Sequence, residues 1–127
     1  MEEVVEKKSK PEIGFEALIE KESGKYIGEA GILSWSERYD RCVIGYNLLP
    51  EFWNKGYATE ISKALISYAF SNLHVERVEA LAMEENVASC KVLEKAGLKL
   101  EGVLKHFAKI DGQYQNVSYY GLIREER

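Results

Sequence analysis

The chain has 127 residues, 46% hydrophobic and 30% charged, which bounds it to one globular domain with a core of its own. Seventeen Lys and Arg against twenty-one Asp and Glu give a net charge of −4, a poor electrostatic footprint for coating DNA or RNA. No apolar run approaches the roughly 20 residues of a membrane helix, and no apolar signal core opens the chain, so a cytoplasmic protein without nucleic-acid or membrane partners is expected.

Residues 1–12 read as a polar leader with Glu2, Glu3, Glu6, Lys7, Lys8 and Lys10. Residues 13–127 read as a single domain. Ile13, Phe15, Ala17 and Ile19 alternate with Gly14, Glu16, Leu18 and Glu20, a strand period. Glu22-Ser23-Gly24-Lys25 is turn chemistry before a second extended run, Tyr26 to Trp35, so the first pair reads as a hairpin. A polar connection from Ser36 to Arg41 leads to a third strand, Cys42 to Leu49, closed by Pro50. Ile61, Ala64, Leu65, Tyr68 and Ala69 then form one helical stripe. Arg77 to Met83, apolar on both faces, suits a central strand. Asn86 caps a second helix with Val92, Leu93 and Ala96 on its stripe and Gly97 at its end. Two last strands flank Asp111-Gly112, a hairpin signal. The order is β-β-β-α-β-α-β-β, an α/β (α+β) fold with a mixed, mostly antiparallel central sheet and helices on its faces. Cys42, Cys90, His74 and His106 each stand alone, so no metal site is expected and the cysteines read as buried and reduced.

The informative stretch is Leu48-Leu49-Pro50-Glu51-Phe52-Trp53-Asn54-Lys55-Gly56-Tyr57-Ala58-Thr59-Glu60. A strand ends at a proline and a loop containing Gly56 opens into a helix, with no acidic side chain from Phe52 to Thr59. Free amides and the helix dipole at such a start suit an anion, although the same spacing also serves a plain helix start. It is not a Walker loop, because G-x-x-x-x-G-K-[ST] is absent.

Trp53-Asn54-Lys55-Gly56-Tyr57-Ala58 resembles the acyl-coenzyme A loop Q/R-x-x-G-x-G/A of the GCN5-related N-acetyltransferase (GNAT) superfamily, with Trp53 in place of Gln or Arg. Asn86 to Leu98 resembles the N-x-x-S-x-x-x-x-E-K-x-G-F of its ribosomal-protein N-terminal acetyltransferase (RimJ/RimL-like) branch, with Leu98 for Phe. The resemblance spans about Phe15 to Arg124. It implies transfer of an acetyl group from acetyl-coenzyme A (CoA) to a primary amine, on a protein N-terminus or a small molecule, by direct attack and without a metal. It also implies a cosubstrate site at Asn54, Lys55, Gly56, Tyr57, Ala58 and Thr59 for the pyrophosphate. The backbone of Asn47, Leu48 and Leu49 and the side chain of Asn86 would hold the pantetheine arm. Ser89 would assist the leaving thiolate, with Asn86 helping to orient the pantetheine. Asn86 as a plain helix cap and Ser89 as an ordinary first-turn serine are the structural alternatives.

A general base is not singled out: His106, Glu29, Glu37 and Asp40 are candidates, and Tyr46, Tyr119 and Tyr120 could line the acceptor pocket or pack in the core. The resemblance further implies a strand and helices ahead of Phe15 that this chain does not carry. That would expose an edge and one sheet face, and a homodimer is the expected cover. Two other readings are a CoA-binding remnant without efficient turnover and a phosphate- or nucleotide-binding regulatory module.

Overall fold

A computed structural model describes residues 14–127, so the expected leader and Ile13 lie outside the described residues. Six strands, β1 (Gly14–Ile19), β2 (Tyr26–Ser36), β3 (Arg41–Leu48), β4 (Arg77–Met83), β5 (Lys99–Ile110) and β6 (Gln113–Ile123), form one sheet. Helix α1 (Tyr57–Tyr68) separates β3 from β4, and α2 (Val87–Lys95) separates β4 from β5. The spatial order is β1-β2-β3-β4-β6-β5, antiparallel throughout except for β3 beside β4. The expected element order and the mixed, mostly antiparallel sheet are both present.

Local chemistry accounts for the joints. Asp111 and Gly112 take φ of 50° and 78°, the two-residue turn whose twist matches that of β5 and β6. Asn86 accepts the Ser89 amide through Oδ1 at 3.1 Å and so caps α2. Helix α1 runs on through a π-helical segment, Ala69–Leu73, and stops at His74 in the left-handed conformation.

Both helices pack on one face of the sheet and against each other. Ile61, Leu65, Ile66 and Phe70 meet Ile44, Val78, Ala80 and Tyr120 in a single core, each full burial of such an apolar side chain stabilising by about 1.5–3 kcal/mol. The buried stripe of α1 differs from the expected one: it takes in Ser62 and Ile66, while Ala64 and Tyr68 are only half-buried. On β1 the core takes Leu18 and leaves Phe15, Ala17 and Ile19 on the opposite face. Pairing explains the choice, since Leu18 lies opposite Gly28 and Leu48 on the helix side of the sheet.

Among the described residues no helix covers the other face. Phe15, Ile19 and Leu33 remain 41% exposed there. At the paired end of β3 and β4 a polar cluster shields the same face. Glu79, buried, bonds Arg77 at 2.7 Å and Arg41 at 3.2 Å and accepts the Tyr119 hydroxyl. Arg77 also grips Glu101 through two hydrogen bonds of 2.6 and 3.0 Å, in space that Gly121 leaves open.

Candidate active site

The parallel pair β3/β4 is short: only Arg41–Val43 oppose Arg77–Glu79. Beyond that point β3 stays paired to β2 as far as Leu48, and β4 to β6 as far as Met83. Each strand is satisfied on its outer edge and open on its inner one. A cavity of ≈160 Å³ occupies the gap, walled by Gly45 and Tyr46 of β3, by Ala80 and Leu81 of β4, and by residues of both helices. Phe15 and Leu33 stand at its mouth on the uncovered face, and no charged side chain lines it.

The hydroxyls in the gap are ordered. Tyr46 reaches from β3 to Ser89 on α2, with 3.0 Å between Oη and Oγ. Ser89 is held a second time, through its amide, by Asn86. Burial pushes the Tyr46 phenol above its ordinary range, outweighing the opposing effect of its hydrogen bond with Ser89, so it keeps its proton near neutral pH. Ser62, on α1, lines the cavity too, and its buried Oγ has no hydrogen-bond partner.

The backbone around Leu48 has a definite direction. The Leu49 amide donates to the Ile27 carbonyl, toward β2. Alternation along an antiparallel strand turns Asn47 the same way and faces the backbone of Tyr46 and Leu48 into the gap. The Leu48 carbonyl there accepts the Trp53 indole at 2.8 Å.

At the start of α1, Gly56 has φ 83° and no side chain caps the helix. The Glu60 amide makes the first turn's bond, to the Gly56 carbonyl, so the amides of Tyr57, Ala58 and Thr59 project from the end. A Cβ built on Gly56 meets nothing within 4 Å, which leaves the backbone approachable. Asn54, at φ 60°, is exposed beside it, and the Lys55 ammonium rests 5.5 Å from the Phe52 ring centroid. The stretch is free of acids in sequence but not in space. Glu20, just past β1, accepts the Tyr57 hydroxyl and lies within the field of Lys55. Hydrogen bonds from Ser23 and Tyr57 hold its carboxyl below the ordinary range.

Among the base candidates, register separates one. Glu29 pairs with Ala17 and with Asn47, so it shares the uncovered face with Phe15 and Gly45 at the splayed end of β3. Glu37 and Asp40 lie in the turn before β3, at the opposite end. His106 sits in an irregular part of β5, stacked on Tyr114 with centroids 5.1 Å apart. Tyr119 serves the Glu79 cluster, and Tyr120 is core, its hydroxyl on Glu94 at 2.9 Å. Sequence reasoning missed Ser62 and Glu20. A serine between Ile61 and Leu65 on a buried stripe was the available signal for the first; the second had none, because the contact is tertiary.

Sequence and structure comparisons point to one family. A family described as the acetyltransferase (GNAT) domain matches residues 1–99. The uncharacterized N-acetyltransferase p20 of Bacillus licheniformis is 34% identical over 110 residues, 87% of this chain and 62% of that protein. The uncharacterized N-acetyltransferase YoaA of Bacillus subtilis is 31% identical over 104 residues, 82% of this chain and 59% of that one. The crystal structure of a probable acetyltransferase superposes with a TM-score of 0.84 at 28% identity, covering 89% of this chain and 63% of that chain. The chain thus spans about three fifths of the length of the relatives it matches.

Proposed function

The chain belongs to the acetyltransferase (GNAT) family, and from that premise we propose that it moves an acetyl group from acetyl-CoA to a primary amine by direct attack. The observation that carries the reading is one juxtaposition: an uncapped helix start at Gly56, and beside it a sheet gap holding the Tyr46–Ser89 pair. The residues present fit the cosubstrate. The amides of Tyr57, Ala58 and Thr59, with Asn54 and Lys55, take the pyrophosphate, and open space at Gly56 admits it. The pantetheine arm bonds the gap-facing backbone. That support favours Tyr46 and Leu48, because Asn47 and Leu49 turn toward β2. Asn86 commits Oδ1 to Ser89 and keeps its NH₂ for the arm.

Acetyl-CoA supplies a thioester carbonyl. The amine lone pair attacks that carbon, an N–C bond forms and the C–S bond breaks. Tyr46, protonated, donates to Ser89, which frees the Ser89 proton to face the departing sulfur. Glu29 accepts the proton that the amine gives up. The acceptor is a protein N-terminus or a small-molecule amine. The reading includes a homodimer in which a second copy pairs along the open edge of β1; light scattering at micromolar concentration tests it.

Thiol release from acetyl-CoA, followed against peptides, polyamines and amino sugars, tests the activity. Release that depends on one amine class supports it. CoA binding without release from any amine identifies a binding domain without turnover, and no CoA binding removes the reading altogether.

A further inference from the structure

Of the three hydroxyls that line the β3/β4 gap, two are paired with each other and one is not. Tyr46 and Ser89 share their hydrogen bond, whereas Ser62 Oγ has no partner. Ser62 stands on α1 and is 1% exposed. A serine inside a helix has a ready outlet in the carbonyl one turn back, yet Ser62 does not take it. Buried polar groups in folded proteins are almost always satisfied, so an orphaned hydroxyl in the wall of a cavity points to a group that enters the cavity. The wall around it, formed by Ile44, Leu65, Ala80 and Leu93, is apolar. Of the two α1 residues that line the gap, Ser62 and Leu65, only Ser62 offers a hydrogen bond.

The pantetheine arm carries a group of the right kind. Only two carbons separate its sulfur from its nearest amide, so with the sulfur at Ser89 that amide still lies among the residues of the gap. An amide brings one donor and one acceptor, and a hydroxyl answers either. On one side the amide meets the gap-facing backbone of β3. On the α1 side it would face hydrocarbon but for Ser62, and a polar group buried without a partner binds poorly. Resting on the acyl-CoA reading above, we propose that Ser62 is a further cosubstrate-binding residue, whose hydroxyl bonds the pantetheine amide nearest the sulfur from the side opposite β3. The contact is the same before and after transfer, so it acts on affinity and not on the chemical step. Without the arm the hydroxyl stays unsatisfied, a cost to the free chain that binding relieves.

Calorimetric titration of the full chain and of Ser62→Ala tests this, with CoA and with adenosine 3′-phosphate 5′-diphosphate, the nucleotide half of CoA without the arm. Ser62→Ala should weaken CoA about five-fold, the scale of one neutral hydrogen bond, and leave the nucleotide half unchanged. KM for acetyl-CoA should rise with it at constant kcat. The melting temperature without ligand should move the other way, up by about 2–5 °C, because the substitution removes an unsatisfied hydroxyl and installs a better helix former. A serine that served only the fold would lower it. Equal CoA affinity in the two proteins, an equal loss with the nucleotide half, or a variant that melts lower or fails to fold overturns the proposal while the site reading stands. Failure of the wild type to bind CoA overturns the site reading and this proposal with it.

Discussion

Tyr46 on β3 and Ser89 on α2, 43 positions apart in the chain, share a 3.0 Å hydrogen bond across the gap where β3 and β4 part. The bond fixes Ser89 Oγ from one side while the Asn86 cap fixes its amide from the other. In the proposed reading Tyr46 donates in this bond, which leaves the Ser89 proton for the departing sulfur. Tyr46→Phe and Ser89→Ala should each lower kcat about tenfold, or about 1.4 kcal/mol of transition-state stabilisation. The double variant should be little worse than either, because the two act as one unit. Steady-state kinetics of the cycle decide it: independent, multiplicative losses would break the link.

Gly56→Val should weaken CoA binding at least about tenfold, because its side chain projects into the open space above the projecting amides. At φ 83° the substitution also strains the backbone by about 1–2 kcal/mol. Gly56→Ala, with less bulk and no β-branch, should give a smaller loss at similar φ strain. Calorimetry with CoA measures both, and wild-type affinity in the valine variant removes the helix start from the site.

Glu29→Gln should lower kcat/KM by about 10²-fold or more, as loss of a general base would. Glu37→Gln, altered at the far end of the sheet, should leave kcat/KM intact. Unchanged kcat/KM in Glu29→Gln would pass the proton to another acceptor.

The Glu79 cluster should make the fold acid-sensitive. Burial by itself raises the Glu79 carboxyl, but hydrogen bonds from Tyr119, Arg77 and Arg41 overcome it and hold the group below its ordinary range. Glu101 is lowered as well, chiefly by Arg77. Groups with depressed folded values stabilise the protein above the ordinary carboxylate pKa, about 4.3 for Glu. That contribution is lost as pH falls through the lower folded value. Between pH 7 and pH 3 the wild type should therefore lose more unfolding free energy than Glu79→Gln, read from denaturant titrations. Tyr119→Phe should cost about 1.5–3 kcal/mol at pH 7, the scale of a hydrogen bond to a charged group. Equal acid losses in wild type and Glu79→Gln would place the sensitivity elsewhere.

Much of the candidate site was legible before any contact was known. Gly56, the helix opening after it and the Asn86 cap with Ser89 three residues on all stand in short stretches of chain. Their geometry is local, set by turn residues and capping chemistry, so residue type and spacing suffice to read it. Other features left no such trace. That Leu18 rather than Phe15 turns inward follows from which face of β2 meets the helices. Glu20 reaches Tyr57 across 37 residues, and Glu79 reaches Tyr119 across 40.

The sequence by itself determined the order of the elements, the hairpin at Asp111-Gly112 and the helix start at Gly56, because periodicity and turn preference act over a few residues. Only the tertiary structure decided where β3 and β4 separate, which hydroxyls face one another across the gap and that Ser62 stands there without a partner. Those outcomes depend on which strand edges are already satisfied by β2 and β6. A ladder partner is chosen by the whole sheet at once, and no run of neighbouring residues encodes the edge that is left open.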